Sequence, residues 1–196
     1  ALGTLPTPTK AGYTFEGWYS GDELITAETV PAGAVTYTAK WKIIEYTIPV
    51  NGTNQTITVE QPYSTILTET PTPQDGYTFF SWQDEKGNPI DPTKNPGPSN
   101  IPSAITPKWA ANTYTVTFVA DGGTVSSRSV TYGQPYGTLP TASKEGYDFV
   151  GWKLDNGTTV TAATTVTTAY NHTLTAQFAQ QHTHSVGHGG TDVVVF

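Results

Sequence analysis

The histidines near the C-terminus are the residues whose type and spacing come closest to a metal site. His182 and His184 are separated by one residue, so they would share one face of a strand, and His188 lies four residues further on. Zinc sites use three or four nitrogen or sulfur ligands held by further hydrogen bonds, and no Cys accompanies these histidines. We therefore expect no metal and no cofactor, and we place the lone His172 in a surface turn.

Paired carboxylates are the second chemistry to consider, because hydrolysis needs an acid and a base that face each other across a cleft. The adjacent acids Asp22–Glu23 and Asp84–Glu85, together with Asp155, fall in predicted turns and vary between the repeated segments described below. Small β-rich units also offer little concavity for a substrate. The sequence therefore predicts no catalytic residue and no enzyme activity.

The composition excludes further classes of function. Nine Lys and Arg against 16 Asp and Glu give a net charge of −7, so the chain should repel nucleic acid. No apolar run approaches the ~18–20 residues that span a bilayer, which argues against membrane insertion. Without Cys there is no disulfide or thiolate chemistry. The absence of Met, even at position 1, indicates a mature or excised fragment whose start has been removed.

Sequence anchors that recur in the same order show that the chain is a tandem repeat. A Gly-Tyr-x-Phe-x-x-Trp segment occurs three times, with its tryptophans 64 and 70 residues apart, and each copy is followed by a closing aromatic residue. Residues that recur at fixed positions in strands behave as core residues do in each copy of a small domain. The predicted repeat core consists of Tyr13, Phe15, Trp18, Trp41, Tyr77, Phe79, Trp82, Trp109, Tyr147, Phe149, Trp152 and Phe178.

The elements that position these anchors are short β-strands joined by turns. Tyr114–Phe118 alternates with the period of two that is typical of a half-buried strand. Asp121–Gly123 predicts a hairpin turn and Thr124–Tyr132 the return strand, matched in the second repeat by strands that include Thr56–Glu60. Only Pro135–Ser143 has room for a helix, of a turn or two at most because of its Pro and Thr. Six prolines between Asn88 and Pro107 predict an extended surface strap.

The order of anchors resembles the Listeria–Bacteroides repeat, the B-repeat module of internalin-type bacterial surface proteins. The motifs that carry it are YTVTF, ADGGTV, PYGTLPT and GYDFVGW in the third repeat, with GYTFEGW in the first; the second repeat departs at Asn51–Gly52 and Ser81. The resemblance implies small β-grasp modules in tandem, of a β-rich α+β class and arranged in an elongated row. It also implies an extracellular location at the cell surface, with no catalytic residues.

The first repeat is incomplete by its own alignment with the third. Ala1–Gly3 aligns with Pro135–Gly137, so nothing corresponds to Tyr114–Gln134, which is the whole first hairpin. A sheet without those strands exposes unpaired backbone groups along one edge. The predicted division is 1–43 for the incomplete first repeat, 44–110 for the second repeat with its strap, 111–179 for the third repeat, and 180–196 for the tail.

The tail carries a candidate for the missing strand. It reads as strand, glycine turn and strand, and Val193–Phe196 resembles Thr115–Phe118. We expect the tail of one molecule to complete the first repeat of the next, with main-chain hydrogen bonds giving affinity. Such head-to-tail contacts propagate into filaments, so the expected partners are copies of the same chain. The predicted assembly strand is Thr191, Asp192, Val193, Val194, Val195 and Phe196.

Alternatives to fibre assembly remain open at this point. Thr191–Phe196 could instead open the next repeat of a longer array, or close onto the first repeat of its own chain. The alternative function is that of a stalk or adhesin segment which binds glycan or a host surface protein. Exposed aromatic rings would provide the contact, and Tyr63 and Tyr136, each beside a proline in a turn, are better candidates than the tryptophans.

Overall fold

A computed structural model describes residues 1–181, and these are built almost entirely from β-strands. The strands form three sheets, and a single 3-10 turn at Tyr63–Thr65 is the only helical element in this part of the chain. Two compact units divide the described residues. One comprises Ala1–Pro73 with Phe79–Ala110, and the other Gln74–Thr78 with the chain from Ala111. No helix within residues 1–181 combines the length and apolar character needed to cross a bilayer.

The first sheet has three antiparallel strands in the order β2-β1-β3. The register pairs Phe15 with Trp41 and Trp18 with Ala39, with a bulge between Phe15 and Gly17. Gly17 has a φ of +143°, and a Cβ there would lie 2.6 Å from Cδ1 of Leu24, so the bulge requires glycine. The strands are β1 (Tyr13–Ser20), β2 (Glu23–Ile25) and β3 (Thr38–Ile43).

The second sheet has four strands in the order β5-β4-β7-β6. β4 and β5 form a hairpin through Asn51 and Gly52, both with positive φ, as the predicted turn requires. β4 runs parallel to β7 where Val50 pairs with Ile105. The strands are β4 (Tyr46–Val50), β5 (Thr53–Ile57), β6 (Tyr77–Asp84) and β7 (Ile105–Ala111). Their buried core consists of Ile48, Val50, Ile57, Tyr63, Ile66, Trp82 and Ile105.

The third sheet has five strands in the order β11-β10-β12-β8-β9. β12 runs parallel to β8 and antiparallel to β10, so it lies in the middle of the sheet. The strands are β8 (Thr113–Ala120), β9 (Gly123–Thr131), β10 (Tyr147–Lys153), β11 (Thr159–Val160) and β12 (His172–Gln180). The core below the sheet consists of Val116, Phe118, Val130, Tyr136, Trp152, Val160, Val166, Leu174 and Ala176.

The prediction of a β-rich chain is confirmed, but the α part of the predicted α+β class is absent from residues 1–181. Pro135–Ser143 is not helical. Its backbone is instead tied to the loop that precedes β12, since the Tyr136 amide donates to the Thr164 carbonyl at 2.8 Å and the Gly137 amide to that of Ala162 at 2.9 Å. Two prolines and these long-range bonds remove the donors that a helix would use.

Candidate functional site

One long edge of β3 has no neighbouring strand among residues 1–181. β3 pairs with β1 alone, whereas β7 lies between β6 and β4, and β12 lies between β10 and β8. The parallel neighbour that β4 and β8 provide in the second and third repeats is therefore missing from the first. Unpaired N–H and C=O groups along a sheet edge form a template for another strand. We refer to residues 35–43, which include β3, as the open edge.

The strand itself is shorter where that neighbour is missing. Trp18 pairs with Ala39 as Trp152 pairs with Ala176, so Val35 is the position equivalent to His172. β12 begins at His172, and its residues 172–175 pair with residues 116–119 of β8. β3 begins only at residue 38, and Val35 is 50% exposed. The part of the strand that β8 holds in the third repeat is thus not formed as strand in the first.

The recurring tryptophan shows what the hairpin contributes to the core. Trp152 is 1% exposed and stands edge-to-face against Phe118 of β8, with ring centroids 5.0 Å apart, and against Phe149 at 5.5 Å. Trp18 keeps the second contact, with Phe15 at 5.7 Å, but within the described residues it has no counterpart of Phe118 and is only half-buried. The first repeat therefore lacks the residues that would cover its tryptophan.

The burial of apolar side chains in the first repeat follows the same pattern. Ile25, at 5% exposure, is the only large apolar side chain in residues 1–43 that is fully buried. Leu24, Val30 and Val35 are each at least half exposed. Exposed apolar surface beside an unpaired strand edge is typical of a site where another protein segment binds.

The predicted core aromatics differ in their burial. Trp82 and Trp152 are 8% and 1% exposed, and Phe79, Phe149 and Phe178 pack against the two buried cores. Aliphatic residues of the alternating strand pattern, such as Ile48 and Leu174, complete these cores, although sequence reasoning built on the aromatic anchors omitted them. Tyr147 is exposed at 38%, and the remaining predicted aromatics are half-buried: Tyr13, Phe15, Trp18, Trp41, Tyr77 and Trp109.

The prediction that Tyr63 and Tyr136 are exposed is wrong, since they are 7% and 3% exposed and burial raises the pKa of both phenols. The Tyr136 hydroxyl lies 2.6 Å from Nε2 of His172, and Nδ1 of that ring lies 2.9 Å from the Tyr170 carbonyl oxygen. The surface-turn assignment of His172 is also wrong, because the residue opens β12 and is half-buried. The two tyrosine rings belong to the buried cores and are not available to a ligand.

The acids Asp84 and Glu85 line one groove, where they accept hydrogen bonds from the surrounding loops. Asp84 accepts hydrogen bonds from the backbone of Lys86 (2.9 Å) and from the backbone and side chain of Asn88 (2.8 and 2.9 Å). The Asn88 side chain is the largest cause of a lowered pKa for Asp84, and backbone N–H groups, its own and that of Ser103, lower the pKa of Glu85. A general acid needs the opposite shift. The pair is therefore arranged to hold a loop.

Metal ligands do not converge in the part of the chain that the structure describes, where no group of three His, Asp or Glu side chains could hold an ion. The tail histidines His182, His184 and His188 lie outside the described residues. The predicted assembly strand, Thr191–Phe196, lies outside them as well. The candidate site on the described residues is thus the open edge.

Two family profiles match the chain in the order of its repeats. The profile described as the Listeria-Bacteroides repeat domain matches residues 1–41 and 114–177. The profile described as the divergent InlB B-repeat domain matches residues 46–112. The repeat that departs most from the motif pattern is thus the one that matches the divergent profile.

Similar proteins include two from Evansella cellulosilytica, named "Putative membrane protein" and "Putative Gly-rich membrane protein". They are 36% and 35% identical to this chain over 162 residues, which is 76% of this chain and 24% and 18% of theirs. Internalin H of Listeria monocytogenes is 36% identical over 85 residues, or 40% of this chain and 16% of that protein. The chain spans about a quarter or less of the length of each relative.

Proposed function

This chain belongs to the Listeria-Bacteroides repeat domain family, and from that premise we propose that it is a non-catalytic structural segment of a bacterial cell-surface protein. Its similarity to Internalin H and to longer proteins with membrane names supports a place within a larger surface protein. The hydrogen bonds of Asp84 and Glu85 to their own loops, which lower the pKa of both carboxyls, support a role without catalysis. The working parts are then backbone edges and repeated cores.

The finer function is the assembly of a head-to-tail fibre by strand complementation. The open edge carries this proposal, because it lacks the parallel neighbour that β4 and β8 provide elsewhere. A donor strand would restore a ladder equivalent to that of residues 172–175 with residues 116–119. It would also supply side chains equivalent to Val116 and Phe118, which are fully buried. Thr191–Phe196, rich in Val and ending in Phe, has a composition that suits this position.

The strand order of the third repeat supports a β-grasp assignment. A hairpin, β8–β9, opens the sheet, and the last strand β12 lies parallel to β8 between the hairpin and β10. In a β-grasp domain a helix connects the second and third strands. Here the connection between β9 and β10 lacks a helix, so residues 132–146 would cover the sheet as a loop. Tyr136 is the buried side chain by which that loop joins the core.

The fibre proposal is tested on the full chain and on a chain that lacks Thr191–Phe196. Negative-stain imaging and sedimentation should show filaments from the intact chain and monomers from the truncated one, with unchanged far-UV circular dichroism. Val35→Lys, which places a charge on the open edge, should also abolish filaments. Val150→Lys, at a 66% exposed position of β10 in the third repeat, is its matched control and should not. Filaments from the truncated chain would contradict the role of the tail as donor strand. Monomers from the intact chain would contradict fibre assembly and leave the role of a stalk segment.

Binding of glycan is the second candidate function, and two exposed rings favour it. Phe80 is 69% exposed and Tyr170 is 67% exposed, although apolar rings of this size are normally covered. Such rings stack on sugars in many surface proteins. A glycan array probed with the monomer should show a signal that is lost in Phe80→Ala or Tyr170→Ala. Tyr46→Phe, in the half-buried first strand of the second repeat, serves as the control. An array without signal contradicts this function.

A further inference from the structure

The Gly-Tyr-x-Phe-x-x-Trp segment of each repeat begins with a glycine and a tyrosine, and we refer to the surface of these two residues as the socket. In the first repeat, other side chains cover the socket. In this socket the carbonyl of Gly12 accepts a hydrogen bond from the Ile44 amide at 2.9 Å. Gly12 is buried, with a φ of +84°, and a Cβ on it would lie 2.6 Å from Cγ2 of Val59. The Tyr13 hydroxyl donates a hydrogen bond to Glu60, which raises the pKa of that phenol. Val59 and Glu60 thus cover Gly12 and Tyr13.

The socket of the second repeat is filled in the same way. The carbonyl of Gly76 accepts a hydrogen bond from the Asn112 amide at 2.8 Å. Gly76 is buried, with a φ of +79°, and a Cβ on it would overlap the ring of Tyr132. That ring also stands edge-to-face against Tyr77, with centroids 5.3 Å apart at 79°. Glycine is required here because a side chain packs directly on its Cα.

The third socket has the same construction but no cover among residues 1–181. The carbonyl of Gly146 accepts a hydrogen bond from the Gln181 amide at 2.9 Å, and φ is +74°. Gly146 is exposed, and no described atom outside its own neighbours lies within 4 Å of a Cβ built on it. Tyr147 is 38% exposed, whereas Tyr13 and Tyr77 are half-buried. Its geometry is therefore preformed for a side chain that these residues do not supply.

The position of the covering residue along the chain identifies the occupant. Val59 lies 15 residues after Ile44, and Tyr132 lies 20 residues after Asn112, in each case just past the return strand of a hairpin. The chain outside the structure runs 15 residues beyond Gln181 and reaches Phe196. We propose that the Phe196 ring, 15 residues after Gln181, occupies the socket of Gly146 and Tyr147. Phe196 is apolar like Val59 and aromatic like Tyr132.

This inference goes beyond fibre assembly because it concerns a contact within one chain. It places the Phe196 ring on its own chain, whereas strand complementation places that ring in the core of a neighbouring copy. The socket contact would therefore form in a monomer that has donated no strand. Failure of the fibre test therefore leaves this proposal standing, and failure of the test below leaves strand complementation standing.

Disulfide trapping tests the contact, since the chain contains no Cys. The full chain with Tyr147→Cys and Phe196→Cys should form an intrachain disulfide with oxidised glutathione at high dilution. Tyr77→Cys with Tyr132→Cys calibrates a filled socket, and Tyr170→Cys with Phe196→Cys provides a pair from a distant exposed ring. The proposal expects closure of the first pair within about threefold of the rate of the calibrating pair. It is overturned when only the calibrating pair closes, or when the disulfide joins two chains.

A second measurement avoids loss of the tyrosine. A ring packed on a glycine Cα shifts the α-proton resonances of that glycine through its ring current. The Gly146 α-protons of the full chain should shift toward random-coil values in Phe196→Leu and stay unchanged in Val194→Ala. A Gly146 resonance that is the same in the parent chain and in Phe196→Leu would overturn the proposal, whatever the disulfide variants do.

Discussion

At the scale of single residues, the recurring tryptophan does two things in each copy that carries the Leu-Pro-Thr motif. It packs edge-to-face on the phenylalanine three residues before it, and its indole N–H donates to the carbonyl of a proline 12 residues before it. The bond is 2.8 Å long from Trp18 to Pro6 and also from Trp152 to Pro140. In both copies the motif thus supplies the acceptor for the indole N–H of the tryptophan.

Truncation of the two tryptophans should have unequal effects. Trp152→Ala removes a fully buried ring from a closed core, so it should lower the free energy of unfolding of the third repeat by ~3–5 kcal/mol. Trp18→Ala, the matched variant, should cost clearly less because Trp18 is half-buried. Urea unfolding monitored by amide exchange in β12 and in β1 measures both. Equal losses would contradict the claim that the first core is open.

Acid should weaken the loop around Asp84. Hydrogen bonds from Asn88 and Lys86 hold the pKa of Asp84 below its ordinary value of 3.8 in the folded chain. A folded-state pKa that is lower than the unfolded one adds stability that is fully present above about pH 4 and is lost as the pH falls through the folded pKa. Asp84→Asn should remove this part of the pH dependence, and Asp155→Asn should not. Amide exchange of Asn88 between pH 5 and pH 2.5 measures the effect; an exchange profile that is identical in both variants would contradict it.

At the scale of elements, most strands could be predicted because period-two patterns and turn glycines mark them directly. The predicted strand Tyr114–Phe118 lies within β8, and the predicted return strand Thr124–Tyr132 matches β9 to within one residue at each end. The return strand of the second hairpin was predicted at Thr56–Glu60 but spans Thr53–Ile57. Because the Asn51–Gly52 turn has only two residues, strand pairing resumes at Thr53. Residues 53–56 are all polar, so the period-two pattern of apolar residues is not visible there.

The burial of two tyrosines could not be predicted from the sequence. Tyr63 and Tyr136 are polar-tipped rings beside prolines, and their burial depends on a loop that folds back over the sheet through long-range backbone bonds. No local pattern encodes such a contact. The open edge, in contrast, could be predicted, because comparison of the repeats revealed the strands without an equivalent. The family resemblance is confirmed for the same reason, since the anchors are local motifs.

Equivalent positions in β12 and in front of β3 should respond differently to truncation. Leu174 is fully buried and pairs with Phe118 of the parallel neighbour, so Leu174→Ala should cost ~2–5 kcal/mol of stability. Tyr37 is the equivalent residue of the open edge and is only half-buried. Tyr37→Ala should therefore have little effect on the unfolding of the monomer, measured by thermal or urea denaturation. A loss for Tyr37→Ala as large as that for Leu174→Ala would contradict the missing-neighbour account.

At the scale of the whole molecule, the chain combines repeated small cores with an edge that its described residues leave unpaired. Few charges and a net charge of −7 suit a spacer that carries no polyanion-binding surface. The family matches and the longer relatives place such repeats within larger surface proteins. The two proposed roles therefore differ at the open edge. In a fibre, a strand from another copy would bind it, whereas a stalk segment does not require such binding.

Amide hydrogen exchange at residues 35–38, compared between the intact chain and the chain lacking Thr191–Phe196, tests the central claim most directly. Residues 172–175 of the third repeat, which are the equivalent positions and have their parallel neighbour in both chains, provide the internal reference. Strand complementation predicts slow exchange at residues 35–38 in the intact protein at assembling concentrations, and fast exchange after truncation. Exchange at residues 35–38 that is equally fast, or equally slow, in the two chains would contradict it.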